Sequence, residues 1–213
     1  MPTLVPPPIW SKKALQGITF WIGHRRSLYD YYPLGESAFV AELCNLIFAH
    51  LDKDHQLLCE VQYRTLAQGQ DLPEFFSRRA RADIVVAEKP VRKGGEPTPK
   101  YVIEVKRGSA PTREINGDLR RLAEIRRLVP DYRTMLFVVS EARRLPRFVT
   151  EDGQSLRGPH SIPDDRGHFR VRRTFKAAHA FKTIETAQYA SLLEVYPHPA
   201  PKPKIKPRPR IKK

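Results

Sequence analysis

The sequence predicts an α/β protein built in three layers. Two observations carry this. Short apolar runs at 57–66, 81–88, 100–107 and 134–139 have the length and composition of strands, and two stretches between and around them repeat their apolar residues at helical spacing. The order that results is helix, three strands, helix, strand, over roughly residues 35 to 140. The chain has 213 residues, of which 40% are hydrophobic and 29% charged. That is enough to bury a sizeable core without disulfide or metal staples.

Residues 1–34 read as an irregular segment with scattered aromatics, Trp10, Phe20, Trp21, Tyr29, Tyr31 and Tyr32 among them. These are expected to pack on the core rather than stack on bases. From Gly35 the pattern changes. GESAFVAELCNLIFAHL sets Val40, Leu43, Cys44, Ile47 and Leu51 on one helical stripe. LLCEVQYRTL (57–66) is a first strand, RADIVVAE (81–88) a second and KYVIEVKR (100–107) a third. Between the last two, KPVRKGGEPTPK carries Gly-Gly flanked by prolines at a turn, which predicts an antiparallel hairpin. Ile115, Leu119, Leu122, Ile125 and Val129 then define a second helix, ended by Pro130. TMLFVV (134–139) is continuously apolar, as a buried strand should be. The third strand, the second helix and this strand form a β-α-β unit, which should be parallel and right-handed. Residues 141–196 form a C-terminal extension of the same domain. Within it HFRVRRTF (168–175) reads as a strand, and 182–196 fits a helix or a strand pair equally.

Charge narrows the function. Thirty-eight Lys and Arg against 23 Asp and Glu give +15, which points to a polyanionic partner, nucleic acid before membrane. Residues 197–213, PHPAPKPKIKPRPRIKK, hold seven of the basic residues and no acid. They are expected to be a disordered, extended arm that anchors phosphate without sequence preference, through Lys202, Lys204, Lys206, Arg208 and Arg210. Two cysteines, Cys44 and Cys59, exclude a disulfide scaffold and a Cys-based zinc finger. They read as small core residues of a protein in the reducing cytoplasm. No apolar run approaches the ~20 residues of a membrane span, and the proline-broken start lacks a signal-peptide layout. Phosphate-loop, dinucleotide, HExxH and GxSxG motifs do not occur. The seven histidines are scattered, with His50 and His55 as surface or capping residues near the end of the first helix.

The chemistry lies on the hairpin. Glu104 and Lys106 are two apart, so a strand puts both on one face, with Ile103 and Val105 on the other under a helix. Asp83 is the one acid inside the apolar RADIVVAE run, where a carboxylate costs free energy unless it is paired or binds a metal. With Lys89 opposite Lys100, Asp83 faces Lys106. A shift of two places it opposite Glu104. Strands lie about 4.8 Å apart, so in an unbulged hairpin Asp83, Glu104 and Lys106 converge either way. Two carboxylates suit a hard oxygen-seeking cation, Mg2+ or Mn2+. Such an ion activates water and stabilises charge on a phosphoryl oxygen, while a neighbouring lysine orients or deprotonates that water or neutralises the developing charge. A further carboxylate from the first helix can join. At 100° per residue Glu36 lies about 20° from Leu43 and Ile47, inside the stripe, whereas Glu42 points about 120° away. Glu36 is therefore favoured, its plainer role being a partner of the helix dipole.

On Glu36 in GESAFVAEL, Asp83 in RADIVVAE, and Glu104 and Lys106 in VIEVK, together with the αβββαβ order, the chain resembles the PD-(D/E)xK nuclease superfamily with its restriction-endonuclease-like fold. The resemblance covers about half the chain and departs from the motif at Ala82, where the proline would stand. It implies a mixed central sheet, Asp83, Glu104 and the carbonyl of Val105 as metal ligands, Lys106 as the catalytic lysine, and Glu36 as an aid to the metal or its water. The expected activity is a Mg2+-dependent endonuclease acting on DNA, in restriction, phage defence or mobile-element processing. Many enzymes of this type work as homodimers. Arg107, Arg113, Arg120 and Arg121, beside the second helix, fit a phosphate track or else a solvated face with Asp118 and Glu124 as local partners. The alternatives are a nuclease-like subunit of a larger complex that only binds nucleic acid, and a basic interaction protein in which the motif is incidental. The third predicts that Asp83, Glu104 and Lys106 do not meet.

Overall fold

The computed structural model describes residues 5–28, 34–141, 143–177 and 187–198. Helix α1 (Ile9–Leu28) and helix α2 (Glu36–Phe48) precede strand β1 (His55–Gln62) and a helical turn α3 (Tyr63–Leu66). Strands β2 (Arg81–Glu88) and β3 (Thr98–Arg107), helix α4 (Thr112–Leu128) and strand β4 (Arg133–Ser140) follow. Strands β5 (His160–Ser161), β6 (Gly167–Lys176) and β7 (Tyr189–Pro197) complete the chain. One seven-stranded sheet runs in the order β1-β2-β3-β4-β7-β6-β5. β3 and β4 are parallel and every other pair is antiparallel, so the sheet is mixed.

The period of two along the strands sorts the core into two faces. Val85, Val102, Leu136, Val138, Leu193 and Val195 meet Ile115, Leu119 and Leu122 of α4. Ile84, Val86, Ile103, Val105, Met135 and Phe137 meet Phe39, Leu43 and Ile47 of α2 and Ala14, Ile18 and Ile22 of α1. The result is the three-layer α/β arrangement, helices on both sides of a sheet.

Four expectations change. Residues 1–34 are not irregular, because α1 occupies most of them. Its buried residues Trp10, Ala14, Ile18 and Ile22 do follow a helical repeat, but exposed Ile9 and Phe20 on the other side blur it. Gly17 lets α1 approach α2 closely, since a Cβ there would stand 2.5 Å from a methyl of Leu46. The run at 57–66 is not one strand. It ends at Gln62, and Tyr63 and Leu66, three apart, turn inward on a helical turn. The hairpin is bulged between Val86 and Ala87, and Ile84 pairs with Ile103. This is the shifted register, which sets Asp83 level with Glu104. Finally, only one cysteine packs on the core, Cys44, and neither is fully buried. Cys44 is half-buried and Cys59, on the edge strand β1, is exposed, with the two sulfurs 3.5 Å apart.

The extension belongs to the same sheet. β6 covers the strand expected at 168–175, and a bulge between Val171 and Arg173 breaks the alternation of its arginines. In 182–196 the structure has strand β7, which lies between β4 and β6. Residues 178–186, Tyr29, Tyr31 and Tyr32, and the arm with Lys202, Lys204, Lys206, Arg208 and Arg210 lie outside the described residues. Among the described residues no helix is long and apolar enough to cross a membrane.

Candidate active site

The site forms where β2 and β3 part company. Their ladder has no pair beyond Ile84 and Ile103. In the gap the Asp83 side chain takes over the ladder's role: its Oδ2 accepts the N–H of Val105 at 2.7 Å. In a strand the N–H and C=O of one residue point to the same neighbour, so the Val105 carbonyl faces the same gap. Asp83 is half-buried and Glu104 is 3% exposed. The two carboxyl groups lie close enough to act on each other's protonation.

Burial dominates both. It pushes the Asp83 carboxyl up against the pull of the Val105 N–H. It pushes Glu104 well above the usual carboxylate range, and the charges of Asp118 and Asp83 add to it. Glu104 is braced by Tyr63, which the sequence did not single out, and by Arg121, which was expected on a phosphate track. Tyr63, fully buried on α3, donates its O–H to Glu104 Oε1 at 2.5 Å. Arg121 on α4 brings Nε to 3.7 Å from the same oxygen. Burial, then the Glu104 charge, raises the Tyr63 phenol far above its ordinary value, so it remains a donor.

Lys106 lies at the end of β3 between the first turn of α2 and the inner face of α4. Its Nζ donates to Glu36 Oε1 at 2.8 Å and stands 3.3 Å from Asp118 Oδ2. Glu36 also accepts the N–H of Arg107 through Oε2 at 3.1 Å. Burial works against the Lys106 charge, but Asp118 and the Glu36 hydrogen bond outweigh it and hold the pKa above the ordinary lysine value. The ammonium is therefore permanent, which suits an electrostatic role better than that of a general base. Asp118 is 1% exposed and ion-paired with Arg121; its Oδ2 has no aligned hydrogen bond. Burial raises its carboxyl to about 6, against the pull of Arg121 and Lys106.

Asp83, Glu104, Lys106 and Glu36 thus come together. Glu42 does not, lying half-buried farther along α2. The arginines divide. Arg107 is clamped by Glu141 at 2.7 Å, Arg120 pairs with Asp164, Arg121 turns into the site, and Arg113 is exposed. Tyr63 and Asp118 were missed, and Arg121 was expected on a phosphate track rather than in the site, because each reads locally as something ordinary. Tyr63 passes for a strand residue, and Asp118 with Arg121 for an i, i+3 surface pair. The one signal was the place of Asp118 within the α4 period, one residue before Leu119.

Tyr63→Phe tests the brace. It keeps the ring against Phe76, 5.1 Å away centre to centre, and removes only the donor. Leaving a buried carboxyl oxygen short of a partner costs about 1–3 kcal/mol, read as a lower urea midpoint with an unchanged slope.

Among the described residues no three His, Cys, Asp or Glu side chains form a group that could hold a metal ion. The donors present are nevertheless the right kind for a hard cation. They are two carboxylates and a backbone carbonyl at one gap, all oxygen, with water completing the shell as Mg2+ prefers. Two adjacent carboxyls with raised affinity for protons are also what such a site becomes when no cation offsets their repulsion. No family model, curated protein or solved structure matches the chain.

Proposed function

We propose that the protein is a metal-dependent endonuclease that hydrolyses phosphodiester bonds in DNA, a diverged member of the PD-(D/E)xK superfamily. The observation that carries the reading is the meeting of Asp83, Glu104 and Lys106 at one parting of two strands, with Glu36 on the lysine. An incidental motif would have left these groups apart. The mixed sheet with α2 and α4 on opposite faces, the cation-suited donors and the excess of positive charge support it further.

In this reading Asp83, Glu104 and the Val105 carbonyl hold Mg2+ or Mn2+, which when bound supplies Lewis acidity and a water of lowered pKa. The chain's own residues do the rest. Tyr63 and Arg121 fix the Glu104 carboxylate, so that it presents its free oxygen to the gap. Glu36 and Asp118 hold the Lys106 ammonium at the same place, where it offsets negative charge growing on the scissile phosphate. The Arg107 side chain is held by Glu141, so Glu36 meets only its backbone N–H and is left to orient Lys106. A cytoplasmic site of action and a role in restriction, phage defence or mobile-element processing fit this activity.

The test uses purified full-length protein with supercoiled plasmid, single-stranded DNA and RNA, each with magnesium, with manganese and with chelator. Cleavage of DNA is expected with either ion and none with chelator. Lys106→Ala is expected to lower the rate by about a hundredfold or more while calorimetry still registers the divalent ion. Cutting that survives chelator and Lys106→Ala points to a contaminant and removes the proposal. Salt-sensitive retention of DNA without any cutting favours a binding subunit instead.

A further inference from the structure

Near the exit of β3 lies a half-buried arginine without a counter-charge among the described residues. Arg147 is half-buried, its guanidinium 5.5 Å from the ring centre of Phe148 and 5.3 Å from that of Phe169. Among the described residues it has no hydrogen bond and no ion pair, and burial alone lowers its pKa. Drawing a guanidinium partly out of water with only ring faces against it is costly, which favours an anion beside it. A cavity of about 250 Å³ lies against it, walled by Gly108, Thr112, Arg143, Arg144, Arg147 and Phe148 among others, with no acid among the described residues of its lining. Arg144 is committed in part, donating to the Val149 carbonyl at 3.2 Å. Arg143 is exposed, with one weak contact of 3.4 Å to the Gly108 carbonyl. The cavity also takes in the start of α4, a helix of 17 residues whose Pro111 provides no side-chain cap, so the positive end of the helix adds to the arginines. Planar guanidiniums around an apolar-floored cavity match phosphate oxygens.

We propose that this cavity binds a phosphoryl group, and that its ligand is a backbone phosphate of the nucleic-acid strand lying across the Asp83–Glu104 site. The placement rests on the nuclease reading. Gly108 is two residues beyond Lys106 on the same strand exit, so the cavity is within one or two nucleotides of a phosphate held at the gap. It would fix the strand's register rather than read its bases.

Two variants of the full-length chain test this. Arg147→Met keeps the length and the packing on both rings but not the charge, and Arg143→Gln acts at an exposed position. DNA binding is followed by fluorescence anisotropy over a salt series in the presence of chelator. Each variant is expected to weaken binding severalfold at low salt and to reduce the slope of log affinity against log salt by about one. Inorganic phosphate is expected to compete with DNA for the wild type at millimolar concentration and less well for Arg147→Met. Arg147→Met should melt no lower than the wild type, because an uncompensated charge has been removed. Unchanged slopes in both variants overturn the proposal. Competition by phosphate with an unchanged DNA slope assigns the cavity to a free phosphoryl compound and overturns the backbone placement. The two readings fail separately. Reduced slopes in a protein that never cuts leave the cavity standing and remove the nuclease. Unchanged slopes in a protein that cuts with magnesium do the reverse.

Discussion

Asp83→Asn is expected to reduce DNA cleavage by about a thousandfold or more and, in metal-free buffer, to raise the melting temperature. The two effects have one cause. The Asp83 carboxylate is kept half-buried beside Glu104, where burial opposes its charge and its charge in turn pushes the Glu104 carboxyl up. Asn keeps an oxygen for the Val105 N–H, so the end of β3 stays in place, but it does not repel Glu104. It also offers no charge to a divalent ion, so calorimetry should show magnesium binding lost or greatly weakened. A residue that destabilises its fold while enabling its chemistry is the signature of a functional site. Asp83→Asn melting below the wild type without metal would make Asp83 a structural residue, and full activity in that variant would end its assignment as a ligand.

The second large effect concerns Asp118 and pH. Its carboxyl is raised from 3.8 to about 6, chiefly by burial. A raised carboxyl pKa means that the folded state holds the proton more tightly than the unfolded state. The associated stability is complete below the unfolded pKa and is lost as pH rises through the folded one. Protonated Asp118 and Asn have nearly the same shape. Wild type and Asp118→Asn should therefore melt alike near pH 4 and separate as pH rises, with the variant the more stable. Above pH 7 a shift of this size corresponds to about 3 kcal/mol, or roughly 6–12 °C in a chain of this length. Exposed Asp52 and Asp152, whose pKa values are lowered mainly by hydrogen bonds from His55 and Thr150, act with the opposite sign but cancel in the difference. Equal melting curves at both ends of the range would show that Asp118 carries no burial cost. Activity should not follow stability, because Asn leaves Lys106 with Glu36 alone and less firmly placed. The stabilised variant is expected to cut more slowly.

The arginine cluster at the far end of the sheet shows a different use of buried charge. Glu194 is 2% exposed on β7 and is met by Arg133 from β4, Arg126 from α4 and Arg172 from β6. Arg126 also stacks its guanidinium 4.4 Å from the ring centre of Tyr196. Arg133 and Arg172 also donate to backbone carbonyls of Val5, and so tie the start of the chain to the sheet. Here the charges satisfy one another and hold the fold. At Arg147 they do not.

What could be read from the chain alone was whatever is local. A short apolar run marked β2, and the repeat from Ile115 to Val129 marked α4, because these residues must leave water. Asp83, Glu104 and Lys106 stood out for the same reason, as charges set into apolar runs. The first helix escaped notice since apolar residues on its outer side hid the stripe. Partnership across the chain was invisible. Tyr63 reaches Glu104 over 41 positions and Lys106 reaches Glu36 over 70. Asp118 became part of the site only because α4 packs its inner face against the end of β3. β7 joins β4 through hydrogen bonds whose energy depends on burial and neighbours, so no short window of sequence placed it in the middle of the sheet. Periodicity records which side of an element is dry. Which elements share that dryness, and which charges are thereby forced together, follows from packing.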